Sequence, residues 1–349
     1  MTLNIRDAMD ILTAADRGDH TAAPGAPQEA LTSAFVALAL SHDRPDRAWR
    51  ELETLLAAQW PDGMVPHLVY HQPTDTFPAS GLWVTGRPVT TSGLTAMPLL
   101  GTVLRRLHER APDAARARAA MAVIDRWHGW FGTHRDPDGT GLAAILHPWE
   151  SARPDAPEWH DAFARVPTEG VAPYLPAQAD PAQARAVWLI ERFQSLGWET
   201  PELHDGSPFC MVDPGLNAVL IRACDDLADL ADTLDEPEIS QGNRLIAERG
   251  REAMDTLAEA GRYLPMDRIS GHVITSDSIG TVLPVWAGLP VNADARGGVE
   301  PWAATLAASG FRRMGDMARA ESLMPEPDGI LGAALFIEQA VAGREILPR

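Results

Sequence analysis

The chain has 349 residues, enough for one large or two smaller hydrophobic cores, and 45% of them are hydrophobic, as in ordinary globular proteins. Its formal charge of −19 argues against a nucleic-acid partner, because binding phosphates requires clustered Lys and Arg. No apolar run resembles a signal peptide or is long enough to cross a membrane, so we expect a cytoplasmic protein without a membrane partner.

Apolar residues at three- and four-residue spacing predict helices along most of the chain. In chain order, the predicted helices cover residues 30–40, 48–59, 94–110, 117–131, 183–198, 217–234, 243–264, 299–311 and 330–343. Residues 65–84 could form a short hairpin, but no alternating run is long enough to predict a larger sheet. The pattern therefore indicates an all-α protein.

Three long connections, at residues 60–90, 134–180 and 199–214, are rich in Pro, Gly and Trp. Long ordered loops in a compact domain are usually functional. Eleven or twelve helices with alternating short and long connections suit a ring of paired helices, in which the long loops meet at one end around a pocket. Because no linker or low-complexity segment divides the chain, we predict a single domain over residues 1–349.

The first candidate cluster is QWPDGMVPHLVYH at residues 59–71. Its Asp-Gly pair predicts a tight turn that presents Trp60, Asp62 and His67 together. A flat aromatic surface beside a carboxylate and an imidazole suits a polyhydroxylated ligand. The alternative is that Asp62 only caps the turn and Trp60 packs beneath the loop.

The second candidate cluster is HPWESARPDAPEW at residues 147–159, whose three prolines exclude a helix interior. Trp149 and Trp159 could form pocket walls, and Glu150 and Asp155 offer carboxylates. Glycoside cleavage needs two carboxyl groups, one of which donates a proton to the leaving oxygen. The alternative is that Glu150 accepts backbone N–H bonds within its own loop and Asp155 is solvated.

Neither metal nor cofactor binding is predicted. The histidines of the two clusters lack ligand spacing, and the two cysteines, Cys210 and Cys224, cannot form a metal site on their own. Glycine-rich motifs for dinucleotides or phosphates are missing from the sequence, as is a serine nucleophile elbow.

Together these motifs resemble the bacterial glycoside hydrolase family 63 enzymes of the mannosylglycerate and glucosylglycerate hydrolase type. The similarity runs from about residue 17 to 302 and includes QWPDGMVPH at 59–67, TSGLTAMPLL at 91–100, HPWES at 147–151 and, more weakly, RGGVEPW at 296–302. It implies an (α/α)6 barrel, with completeness at its C-terminal end left open. It also implies a sugar or sugar-derived ligand, with these expected binding residues: Trp60, Asp62, Met64, His67, His147, Trp149, Glu150 and Trp159.

The catalytic positions depart from the family pattern. The family's acid is the Asp of WESGMDNSP, and in register that position is Pro154, so the resemblance leaves Asp155 as the expected acid. The family's WNWDSAF corresponds to EALTSAF, where Leu31 and Thr32 replace Trp and Asp. The expected base is Glu326 in MPEPDG or Glu300 in RGGVEPW.

Three functions follow from this sequence. The first is inverting hydrolysis of a small α-linked glucoside or mannoside by a carboxylate acid and base. The second is a repurposed barrel that catalyses dehydration, cyclisation or isomerisation, and the third is sugar binding without catalysis. The oligomeric state, a homo-oligomer included, is left open.

Overall fold

A computed structural model describes residues 5–198, 200–296, 300–323 and 329–345. Within them the helices are α1 Ile5–Ala14, α2 Ala30–Leu40, α3 Pro45–Leu56, α4 Leu100–Arg110, α5 Ala114–His134, α6 His160–Ala164, α7 Pro181–Ser195, α8 Thr200–Gly206, α9 Pro214–Thr233, α10 Pro237–Met254, α11 Pro301–Arg313, α12 Met317–Ser322 and α13 Gly329–Glu345.

The strands in the same residues are only two or three residues long. They are β1 Gln28–Glu29, β2 Leu68–Tyr70, β3 Thr90–Thr91, β4 Ala144–Ile145, β5 Met211–Val212, β6 Ala258–Glu259, β7 Arg262–Tyr263, β8 Met266–Asp267 and β9 His272–Val273. They form antiparallel sheets in the orders β1-β2-β3, β4-β5-β8-β9 and β6-β7. The first sheet pairs Glu29 with Leu68 and so joins the start of α2 to the loop after α3.

The inner helices form a closed ring. Around it, α2 contacts α4, α4 contacts α9, α11 contacts α13, and α13 returns to α2. Between α9 and α11 the sixth place is taken by a short 3-10 segment, Leu283–Ala287, which contacts both. The predicted (α/α)6 barrel is confirmed, and the ring closes at its C-terminal end, which the sequence had left open.

Outer helices pack against the inner ring in the described part of the chain: α1 on α13, α3 on α2, α5 on α4, α10 on α9 and α12 on α11. Burial explains the sequence of α2, whose eleven residues are all buried. A helix that is enclosed by neighbours on every side needs no polar face, and ALTSAFVALAL has almost none.

Helix starts follow from local capping chemistry. Asp113 accepts hydrogen bonds from two backbone N–H groups at the start of α5, and Asp180 forms a capping box with Gln183 at the start of α7. Such caps satisfy N–H groups that have no partner within the helix.

Two predicted helices were too long. Residues 94–99 precede α4 and are not helical. A helix that began before Pro98 would be interrupted there, because proline has no backbone N–H to donate. Residues 255–264, predicted as the end of a long helix, form a 3-10 turn and the β6-β7 hairpin. The hairpin predicted within residues 65–84 was also wrong, because β2 pairs with β1 and with β3 at Thr90–Thr91 instead.

The packing between inner helices is very close at Gly101 of α4. A Cβ atom there would lie 2.3 Å from the carbonyl oxygen of Ala223 in α9. We expect Gly101→Ala to lower the free energy of unfolding by about 1–3 kcal/mol, because the two helices must separate to accommodate the methyl group.

The matched control for this change is Gly129→Ala in the exposed face of α5, where nothing lies within 4 Å of the added Cβ. That substitution should raise the free energy of unfolding by about 0.5–1 kcal/mol. Chemical denaturation measures both, and equal effects of the two substitutions would contradict the close packing of α4 on α9.

Candidate active site

A cavity of about 290 Å³ lies at the N-terminal ends of the inner helices α2, α11 and α13. Two of the long loops, residues 60–90 and 134–180, contribute to its wall, and the part of the third that the structure describes with side chains, residues 202–214, does not. The lining residues are mainly apolar: Glu29, Leu31, His67, Leu68, Pro78, Trp149, Ala152, Pro154, Trp302 and Leu331. The predicted pocket at the loop end of the ring is therefore present.

Two tryptophans give the cavity its flat walls. The Nε1–H of Trp302 donates to the carbonyl oxygen of Ala152 at 3.1 Å, which fixes the indole at the start of α11. The backbone N–H of Trp149 donates to Nδ1 of His147 at 3.0 Å, and the two rings lie 4.8 Å apart. Burial lowers the pKa of His147 to about 3, so this imidazole is neutral and can accept that bond.

The polar side chains of the cavity wall are Glu29 and His67. The carboxylate of Glu29 accepts a hydrogen bond from the Thr32 hydroxyl at 2.5 Å. Nδ1 of His67 lies 2.6 Å from the Ser92 hydroxyl. Burial lowers the pKa of His67 to about 3, so its ring is neutral and offers hydrogen bonds without charge.

The loop at residues 147–159 places Pro154 in the cavity wall and leaves Asp155 exposed. Ala152 turns the backbone with a φ of 51°, a left-handed conformation that usually requires glycine. In the family pattern glycine stands at this position, and the acid stands two residues later. The wall therefore presents a pyrrolidine ring where the family has a carboxyl group, and Asp155 does not line the cavity.

A buried guanidinium anchors this loop. Arg153 is only 1% exposed and donates to Glu158 at 2.6 Å and to Asp213 at 3.0 Å. Asp213 is also the N-cap of α9, so the loop is bound to the start of an inner helix. The Nε1–H of Trp159 donates to the carbonyl oxygen of Arg153 and closes the same turn.

Glu300 precedes α11 and belongs to the surroundings of Arg153. Burial raises the pKa of its carboxyl group, against the opposing effect of the Arg153 charge. Its Oε2 atom is buried and has no hydrogen-bond partner within the described residues. Glu300 does not line the cavity, although Trp302 two residues later does. Glu326, the other expected base, lies outside the described residues.

The first sequence cluster contributes only His67 and its neighbour Leu68 to the cavity. Asp62 accepts hydrogen bonds from the Met64 backbone and from the Trp130 indole, and the Trp60 indole donates to Thr91. Met64 is buried beneath this turn. Trp60, Asp62 and Met64 do not line this cavity, and their contact with a ligand stays a prediction.

In the second cluster, Trp149 lines the cavity and the other expected binding residues do not. Glu150 is fully buried, and its carboxylate accepts bonds from Arg135 at 2.6 Å and from the backbone of Leu146 at 2.9 Å. His147 and Trp159 are buried as well. These three residues hold the loop in place, and their contact with a ligand stays a prediction.

Several wall residues were missed from the sequence, chiefly Glu29, Trp302 and Leu331. Each is at the start of an inner helix, and only ring closure brings the three helix starts together. A usable signal existed for Trp302, since it ends the RGGVEPW match, and for Glu29, which lies three residues before the Thr32 substitution.

Among the described residues, no group of three or more His, Cys, Asp or Glu side chains is arranged to hold a metal ion. A search of the same residues finds no helix with the length and apolar character needed to span a membrane.

We expect Arg153→Met to lower the free energy of unfolding by about 3–5 kcal/mol, since it leaves Glu158 and Asp213 as buried carboxylates without a cation. The control is Arg118→Met, which breaks an exposed pair with Glu236 and should cost at most about 1 kcal/mol. Urea denaturation of both variants measures the difference. A loss at Arg153 no larger than at Arg118 would show that this network does not anchor the loop.

Stability should also fall as the pH is lowered from 7 to 4. Unfolded histidine takes up a proton near pH 6.5, whereas native His147 stays neutral down to about pH 3. The unfolded chain therefore binds more protons in this range, which favours unfolding by about 1.4 kcal/mol per pH unit for each such histidine. Denaturation at several pH values should show a shallower dependence for His147→Gln than for the unchanged protein. An unchanged slope for His147→Gln would be the contrary result.

Comparison with known proteins agrees with this geometry. Residues 28–312 match the family model described as "Mannosylglycerate hydrolase MGH1-like glycoside hydrolase domain". Mannosylglycerate hydrolase MGH1 of Selaginella moellendorffii is 38% identical over 279 residues, which are 74% of this chain and 56% of that protein. The mannosylglycerate hydrolase of Thermus thermophilus is 35% identical over 320 residues, 85% of this chain and 73% of that protein. This chain thus spans a little over half the length of the Selaginella relative.

A solved structure gives the same result for the fold. The crystal structure of the family 63 mannosylglycerate hydrolase from Thermus thermophilus in complex with Tris and D-glycerate superimposes with a TM-score of 0.84. The two chains share 29% identity, and the match covers 97% of this chain and 100% of that one. The family model, the relatives and the shared barrel together show that the chain belongs to the MGH1-like glycoside hydrolases of family 63.

Proposed function

We propose that this protein hydrolyses the α-glycosidic bond of a small glycoside of glycerate in the cavity at the loop end of the barrel. The observation that carries the proposal is that two tryptophans from separate segments line the same cavity. Trp149 belongs to HPWES and Trp302 to RGGVEPW, two segments that resemble the family, and both indoles line one cavity. Flat indole faces are suited to contact with a sugar ring.

The helix starts around the cavity favour an anionic aglycone. Leu31, Trp302 and Leu331 line the cavity and are the second or third residues of α2, α11 and α13. The N-terminus of a helix carries a partial positive charge and free N–H groups. Three such ends at one cavity would stabilise the carboxylate of a glycerate group.

The polar groups of the wall suit recognition of hydroxyl groups. Glu29 is proposed to accept a hydrogen bond from a sugar hydroxyl, in place of the family's Asp at the position of Thr32, because Thr32 holds its carboxylate at the wall. Neutral His67 is proposed to bind a second hydroxyl. These roles keep the ligand oriented between the two indoles.

The acid and the base are proposals as well. Asp155 follows the Pro154 of the cavity wall, and its role as acid requires the loop to turn this exposed carboxyl group inward when the substrate binds. Glu326 is the preferred base. A general base must be ionised, and the raised pKa of Glu300 favours its protonated form instead. Location in the cytoplasm and assembly into a homo-oligomer remain predictions.

The comparisons do not support the two other functions that the sequence left open, a non-hydrolytic acid–base reaction and sugar binding alone. Pro154 is nevertheless the feature that separates this cavity from the family pattern. The decisive experiment therefore has to measure bond cleavage as well as binding.

We expect the purified protein to release glycerate from α-mannosylglycerate or α-glucosylglycerate, with the sugar appearing first as the β-anomer in a proton NMR time course. Asp155→Asn should lower kcat by about 10²–10⁴-fold, the usual contribution of an acid or base. Glu29→Gln should act mainly through KM, because its proposed role is binding.

The control is Asp161→Asn, which removes an exposed carboxylate close to the same loop and should leave both constants unchanged. No glycerate release above the level of a heat-denatured sample would refute the hydrolase. Cleavage that is unaffected by Asp155→Asn would remove Asp155 from the mechanism.

A further inference from the structure

A second, smaller cavity of about 50 Å³ lies towards the C-terminal ends of the inner helices. Its wall includes Leu38 near the end of α2, Arg106 of α4, Ser309 of α11 and Trp286 of the 3-10 segment. Leu31 in the first cavity and Leu38 in the second are seven residues apart on α2, or about 10 Å at 1.5 Å per residue. The two cavities are therefore separate sites on the same ring.

Three guanidinium groups surround one buried indole in this region. The ring centroid of Trp286 lies 4.5 Å from the Cζ atom of Arg313, 5.5 Å from that of Arg106 and 5.6 Å from that of Arg222. Trp286 is completely buried, and its Nε1–H has no hydrogen-bond partner among the described residues. This arrangement concentrates positive charge in a protein whose formal net charge is −19.

The acidic groups nearby are already engaged. Glu338 lines the same cavity, but both of its oxygens accept bonds from Arg110, at 2.8 and 3.0 Å. Asp226 pairs with Arg222 at 2.9 Å and also with Arg105. The direct ion pairs of these two acids therefore go to Arg110, Arg222 and Arg105, and their charges reach Arg106 only at longer range.

Arg106 is left without such a partner. Within the described residues it makes no ion pair and donates no hydrogen bond, although it is partly buried at the cavity wall. Desolvation lowers its pKa, as it does that of Arg313, whose pKa falls to about 10 with further contributions from the like charges of Arg222 and Arg106. A guanidinium in these surroundings is costly unless an acceptor compensates it.

Helix ends explain only part of this cluster. Arg110 donates to the carbonyl oxygen of Leu38 at the end of α2, and Arg313 donates to that of Trp286. Basic side chains at helix C-termini commonly make such bonds. The same explanation does not apply to Arg106 or to the indole N–H of Trp286, which in the described part of the chain are two donors without an acceptor at one cavity.

We propose that this second cavity is a binding site for a small oxyanion of the size of inorganic phosphate, held by Arg106 and by the indole N–H of Trp286. The planar guanidinium group matches two oxygens of such an anion. Arg313, which makes no ion pair within the described residues, adds positive charge beside the indole, and the site is independent of the activity proposed for the first cavity. Bound anion would join α4 and α11 to the 3-10 segment that completes the ring.

The test is a thermal unfolding series in increasing inorganic phosphate, with sodium chloride at equal ionic strength as the reference. A ligand that binds only the native state raises the unfolding midpoint as its concentration passes the Kd. We expect phosphate to raise the midpoint in a saturable way and chloride not to do so. An equal rise of the unfolding midpoint in both salts would overturn the proposal, and this test needs only the unchanged protein.

Two variants locate the site. Arg106→Met should weaken the phosphate Kd, measured by calorimetry, by about tenfold or more. Without phosphate this variant should unfold at or above the wild-type midpoint, because it removes the cost of burying a guanidinium group. Arg50→Met, which removes an exposed arginine of α3, is the control and should keep the wild-type Kd. An unchanged Kd in Arg106→Met would exclude this cavity as the site.

Discussion

The wall of the first cavity depends on the buried ion pairs of Arg153. Its guanidinium bonds to Glu158 within the loop and to Asp213 at the start of α9, and all three side chains are almost completely buried. Charges in such surroundings are tolerated only when each has its partner. Gly280 packs directly against the guanidinium, where a Cβ atom would lie 2.4 Å from it. These contacts fix the backbone at Arg153 relative to the start of α9 and to Gly280.

The same loop explains how a family site could change chemistry while keeping its shape. Trp149 and Ala152 hold their places at the cavity because the side chains of His147, Glu150 and Trp159 form hydrogen bonds with the loop backbone. Such support does not depend on the identity of residue 154. A proline could thus replace an acid at the wall without disturbing the surrounding aromatic residues.

Sequence patterns predicted the parts of the molecule that local physics determines. The fully buried α2 was placed at its observed bounds, and α5, α9, α11 and α13 were placed within three residues at each end. The predictions failed at residues 94–99, where helical apolar spacing begins before α4 does, and at residues 255–264, where it continues after α10 has ended. Periodicity does not distinguish a buried turn from a buried helix.

The site was predicted less well, for a physical reason. His67 and Trp149 belong to compact motifs and line the cavity, whereas the side chains of Trp60 and Asp62 form hydrogen bonds with groups around their own turn and do not. Glu29 and Trp302 are far apart in the sequence and meet only when α13 closes the ring on α2. Spacing within a loop carries no information about that closure.

The most direct test of the central claim is a crystal structure of the protein soaked with D-glycerate. The account predicts the ligand in the first cavity, between Trp149 and Trp302, with its carboxylate at the starts of α2, α11 and α13. Glycerate bound elsewhere, with this cavity holding only solvent, would contradict it.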